Sequence, residues 1–299
     1  MNTVGFLPAL LLMTASAFAQ QGRPGMQSTP PPLGQADTVT VKQDVTYASI
    51  RGSDLHLDVY EPAYLGSQRR PAVILIHGGA WSSFDKSTMR GMGQFLALSG
   101  FVAFAVDYRL FHDNENRWPA QLDDVQTAVR WVRANAGIYG ADPDHIGAFG
   151  HSAGAQLAAL LGMEDTRDNS NPSLAKYSSR VQAVVDVSGP TDFTTDRDPD
   201  RDAFFTAFLG ADFAKQPELW RDASPVFHVG KSNAPFLIVH GTKDQDVPIS
   251  QAQELYDKLH AARVHVSFLK VEDVHTFESQ DNIRKLVDET RDFFDRYLR

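Results

Sequence analysis

The 299-residue sequence predicts an α/β fold, a mostly parallel, doubly wound sheet with a small helical lid insertion. Three observations point there. Two continuous apolar runs, 72–76 (Ala-Val-Ile-Leu-Ile) and 102–106 (Val-Ala-Phe-Ala-Val), have the pattern of parallel strands buried on both faces. Amphipathic segments alternate with such runs along the chain. A Gly150-His151-Ser152-Ala153-Gly154 pentapeptide also stands where a short apolar run gives way to an Ala- and Leu-rich helix. That G-x-S-x-G spacing holds a serine on a sharp strand-to-helix turn.

Taken in order, residues 1–19 read as a signal peptide. An apolar stretch from Phe6 to Phe18, carried by Phe6, Leu7, Ala9, Leu10, Leu11, Leu12 and Met13, runs into Ala17-Phe18-Ala19, with cleavage expected after Ala19. The run is too short for a lasting membrane span, so the expectation is a secreted or periplasmic protein without stable membrane insertion. The absence of cysteine excludes lipoprotein processing, disulfides and thiolate chemistry. Residues 20–37, with Pro24 and Pro30 to Pro32, read as a flexible linker. Residues 38–299 read as one domain. Alternation over 38–50 and 55–60 predicts paired edge strands with one wet face. A helix is expected over 87–99, and another over 120–135, where Pro119 precedes Leu122, Val125, Val129 and Val132 at helical spacing.

A strand over 145–149 leads into the pentapeptide, and a helix over 153–162 leaves it. Further strands are expected at 181–187, 236–239 and 264–271, with helices over 250–262 and 282–298. The stretch 191–233 is too long for a simple connection and reads as the lid. It carries Phe193, Phe204, Phe205, Phe208, Phe213 and Trp220 among Asp198, Asp200, Arg201, Asp202 and Asp212. A net charge of −9 argues against nucleic-acid partners.

A serine hydroxyl needs a base to take its proton and a third group to orient that base. On an elbow of this kind the partners follow in the order serine, acid, histidine, on loops after later strands. Asp244 follows the strand at 236–239, and His275 follows the strand at 264–271. Asp246 and Asp273 compete for the acid role. His260 falls within a helix, His265 within a strand, and His151 is expected to point away from the serine. His77-Gly78-Gly79-Ala80-Trp81 follows the strand at 72–76 and offers amide donors for an oxyanion. Those assigned are the N–H groups of Gly79, Ala80 and Ala153, with His77 bracing the loop. No H-E-x-x-H pair or phosphate loop is present, so neither a metal nor a cofactor is expected.

These segments resemble a known group. His77 to Trp81 is similar to the HGGxW signature, Asp107-Tyr108-Arg109-Leu110 to the DYRL segment, and Gly150 to Gly154 to the elbow. Ser224-Pro225-Val226 and His240-Gly241-x-x-Asp244-x-x-Val247-Pro248 are similar to the acid-loop region. Together they resemble the exported esterases and lipases of the α/β-hydrolase superfamily, near the hormone-sensitive lipases and the BD-FAE-type carbohydrate esterases. The resemblance spans about residues 40–298. It implies an α/β-hydrolase fold and acyl-enzyme hydrolysis of acetyl, short acyl or feruloyl esters, on a small-molecule or carbohydrate-linked substrate. An amidase or aryl-formamidase using the same triad is the nearest alternative, and a non-catalytic binding module the remotest. Ala80 in place of a third glycine, and the lack of glycines around His275, depart from the pattern and bear on pocket shape.

Overall fold

The computed structural model describes residues 38–63, 68–195 and 197–299. The expected signal peptide (1–19) and most of the way to the domain, the linker (20–37), lie outside the described residues.

Eight strands form one sheet: β1 (Val39–Ile50), β2 (Ser53–Pro62), β3 (Arg70–Ile76), β4 (Val102–Val106), β5 (Ala141–His151), β6 (Ala183–Val187), β7 (Phe236–Gly241) and β8 (Val266–Val271), in the order β1-β2-β4-β3-β5-β6-β7-β8. The first two pairings, β1 with β2 and β2 with β4, are antiparallel. From β4 onward every neighbour is parallel. This is the predicted doubly wound sheet with an antiparallel edge.

The pleat explains the apolar runs. In β3, Ala72, Ile74 and Ile76 enter one core, while Val73 and Leu75 enter the other. The first core is closed by α2 (Ala120–Asn135), α3 (Ala153–Met163) and α6 (Ile249–Ala261). The second is closed by α1 (Arg90–Leu98) and α7 (Gln280–Leu298). All eleven residues of α3 are buried, which is why its sequence lacks a polar face.

The two largest boundary differences from expectation, at the starts of α1 and β5, have local reasons. The helix expected at 87 begins as α1 at Arg90, because the Asp85 carboxylate accepts from Ser87 N–H and caps a short 3-10 turn first. Strand β5 starts at Ala141 rather than at His145, through a pairing of Ala141 with Arg70 that Asp142-Pro143-Asp144 disguises as a turn. The segment 191–233 contains α4 (Pro199–Leu209) and α5 (Pro217–Asp222). Asp198 caps α4 by accepting from the N–H groups of Asp200 and Arg201, and Gly210 ends it at φ 88°. Among the described residues, no helix is long and apolar enough to cross a membrane.

Candidate active site

The elbow follows from steric demands at two glycines. A Cβ on Gly150 would stand 2.1 Å from the carbonyl oxygen of Gly154, and one on Gly154 would stand 2.2 Å from that of Ile76. Only without those side chains do β5, α3 and the end of β3 approach so closely. Between them Ser152 adopts φ 55°, ψ −123°, sparsely populated for a residue with a side chain. Its N–H donates to Val187 O at 2.8 Å, which ties the strained residue to β6.

Ser152, His275 and Asp244 come together. Ser152 Oγ lies 2.9 Å from His275 Nε2, and His275 Nδ1 donates to Asp244 Oδ2 at 2.7 Å. The other carboxylate oxygen of Asp244 accepts from the N–H groups of Asp246 and Val247, both at 2.9 Å. Burial by itself raises the Asp244 pKa. Hydrogen bonds from His240 and His275, the nearby His275 charge and the Val247 N–H outweigh it and hold the carboxyl below the usual carboxylate range. The acid is therefore ionised wherever the histidine needs it.

The competitors have other work. Asp246 is exposed, and its carbonyl accepts from Arg201 of α4. Asp273 is buried and caps the turn after His275, accepting from the N–H groups of Val274, Glu278 and Ser279. His260 stacks on Tyr256 and His265 packs beside Tyr297. Asp244, Asp246 and His275 offer ligand atoms within 4.8 Å of one another, but both ring nitrogens of His275 are already engaged.

The loop after β3 abuts the elbow: a Cβ on Gly78 would stand 3.2 Å from Ser152 Cβ. Gly79, Ala80 and Trp81 all have positive φ, at 106°, 48° and 57°. Among the described residues the N–H groups of Gly79, Ala80 and Ala153 are not engaged by a backbone acceptor outside regular elements. His77 braces this loop as expected. Its ring is fully buried, stacks on Tyr108 at 4.2 Å and donates from Nδ1 to Gly78 O. The Tyr108 hydroxyl donates to His77 O at 3.0 Å. Burial pushes the His77 pKa down, consistent with a neutral, structural ring. Trp81 donates from Nε1 to Gln156 Oε1 and meets the rings of Phe193, Phe204, Phe205 and Phe208.

Two site residues escaped the sequence reading. His151 does not simply point away: its Nε2 donates to the carbonyl of His275 at 3.0 Å. Burial and the neighbouring His275 push its pKa down to about 4. His240, at the end of β7, has Nε2 3.2 Å from Asp244 Oδ2 and 2.9 Å from Val247 O. Its signal in the sequence is a polar residue ending an otherwise apolar strand, four positions before the acid.

A family model for BD-FAE matches residues 57–259, a span that includes Ser152 and Asp244 and ends before His275. Among curated proteins, the chain is 33% identical over 238 residues to esterase LipC of Mycobacterium tuberculosis, covering 76% of this chain and 58% of that one. It is 33% identical over 223 residues to the probable carboxylic ester hydrolase LipM of the same organism, covering 72% and 51%. The chain thus spans little more than half the length of these relatives. Among solved structures, a thermophilic esterase of Thermogutta terrifontis in its butyrate-bound form superposes with a TM-score of 0.74 at 26% identity, covering 86% of this chain and 94% of that one. A truncated carbohydrate esterase from gut microbiota gives 0.71 at 27% identity, covering 88% and 98%. Similarity in sequence, fold and arrangement agree, and the chain belongs to the BD-FAE family of α/β-hydrolase esterases.

Proposed function

We propose that this protein is an exported serine carboxylesterase that removes short or compact aromatic acyl groups through an acyl-enzyme. The observation that carries the reading is the unbroken hydrogen-bonded line from Asp244 through His275 to Ser152, at 2.7 and 2.9 Å. In this reading His275 Nε2 takes the Oγ proton as Ser152 attacks the ester carbonyl. The N–H groups of Gly79, Ala80 and Ala153 receive the developing oxyanion. Collapse expels the alcohol, which takes the proton from His275, and a water repeats the sequence to release the acid. Asp244 stays ionised and supports the imidazolium.

In the same reading the lid limits the size of the substrate. Trp81 and the Phe residues of α4 pack against one another, while Asp198, Asp200, Arg201 and Asp202 sit on the same helix start. Charges so close to the apolar residues would be costly to desolvate at an oil surface. Similarity to a butyrate-bound esterase and to a carbohydrate esterase supports small acyl groups and a carbohydrate-linked alcohol. The test is a nitrophenyl ester series from acetyl to dodecanoyl, alongside acetylated xylan, methyl ferulate and a matched anilide. Turnover should peak between acetyl and butyryl, with the anilide far slower. Ser152→Ala and His275→Ala should each lower kcat by about 10⁴-fold or more, and Asp244→Asn somewhat less. A peak at long chains would sink the substrate class, and Ser152→Ala retaining a tenth of the rate would sink the mechanism.

A further inference from the structure

We infer that His240 is a positioning residue for the candidate triad, holding Asp244 and its loop in the one arrangement that orients His275. The inference rests on the esterase reading above. His240 is fixed from below by β7, and its side chain is shielded from solvent, as is that of Asp244. Val247 O lies 2.9 Å from His240 Nε2. A carbonyl only accepts, so Nε2 carries a hydrogen, and the same hydrogen faces Asp244 Oδ2 at 3.2 Å.

Val247 is therefore engaged twice. Its N–H donates to Asp244 Oδ1, and its carbonyl accepts from His240. The ring closes residues 244–247 on themselves and leaves Oδ2 aimed at His275. A donor that held only the loop would have no need to reach the carboxylate, and one that held only the carboxylate would not meet Val247. The contact is also specific to one side of the ring. His240 Nδ1 is buried without a hydrogen-bond partner among the described residues, as is Asp186 Oδ2. Asp186 on β6 and His151 on β5 are the other titratable groups that act electrostatically with His240, besides Asp244.

Removing the ring leaves Val247 O and a buried oxygen of Asp244 short of a donor, which costs about 1–3 kcal/mol of stability. Positioning is therefore read from a loss in kcat at unchanged KM and from its rescue by a side chain that restores the donor.

The experiment compares His240→Leu, which removes the donor, with His240→Gln, whose amide nitrogen reaches the position of Nε2. Both are assayed on nitrophenyl butyrate beside Ser152→Ala, with melting temperatures recorded. His240→Leu should lower kcat by about 10- to 100-fold, the scale of a misplaced catalytic group, with KM within about twofold of wild type and a lowered melting temperature that still leaves the protein folded at the assay temperature. His240→Gln should recover to within about fivefold of wild type. If His240→Leu does not fold, His240→Asn, whose amide falls short of Val247 and Asp244, replaces it with the same expected loss. Wild-type kcat in the donor-less variant, or an equal loss in His240→Gln, overturns the inference. Either result beside an inactive Ser152→Ala overturns it alone, whereas activity surviving Ser152→Ala overturns the esterase reading and this inference together.

Discussion

Ser152 holds a backbone conformation that costs on the order of 1–3 kcal/mol, and its N–H bond to Val187 O on β6 is part of what sustains it. Asp186, the residue before Val187, sets up a second, opposite kind of expense. Burial pushes its carboxyl up to about 6, partly opposed by the Gly189 N–H and by His240. The sign follows from the raised value. Between the ordinary carboxylate range and about pH 6 the folded protein keeps a proton that the unfolded chain has lost. The associated stability is full at lower pH and is lost as pH rises through about 6. Asp186→Asn, which preserves the acceptor for Gly189 N–H, should therefore exceed wild type in stability by about 1–3 kcal/mol at pH 8 and by much less at pH 4. Urea unfolding at the two pH values checks this, and an equal gain at both would refute it. At this scale Ser152, Asp244 and His275 were legible because chain order and strand ends specify them. His240 and His151 were not, since their roles depend on contacts to Val247 and His275 that no local pattern encodes.

Helix α4 is the element on which substrate choice turns in the proposed reading. Arg201 near its start donates to Asp246 O beside the acid, and the carbonyls of Ala207 and Phe208 near its end accept from Arg117 and from Trp118 N–H. Its Phe208 stacks on Trp81 at 4.8 Å, in the loop proposed to receive the oxyanion. Phe204 and Phe205 are only half-buried and meet the same indole. Phe205→Ala should shift the preferred nitrophenyl ester toward longer acyl chains, while Phe208→Ala, fully buried, should cost about 3–5 kcal/mol of stability. An unchanged chain-length profile in Phe205→Ala would remove α4 from the acyl pocket. The strands were legible as apolar runs. Helices α4 and α5 were visible only as an irregular stretch, because α4 mixes aromatic and acidic residues without a clean face; its boundaries come from the Asp198 cap and Gly210.

For the whole molecule, the expectation of export applies to residues upstream of the sheet. Expressed with its own leader in a Gram-negative host, the protein should be recovered from the periplasm or medium with Gln20 as its first residue. N-terminal sequencing of a cytosolic product that begins at Met1 would refute the assignment. The sheet's alternation of apolar runs and helices was readable in advance, but the pairing of β2 with β4 rather than with β3 was not, since no local pattern encodes which strand edges meet. The same topology has a temporal meaning. Ser152 and His275 are 123 residues apart in the chain, and β6, β7 and β8, which lie in turn beside β5, are all contributed by the chain between them. In the proposed reading, a chain still being threaded out of the cell carries its nucleophile without its base, and activity waits on the closing of the sheet.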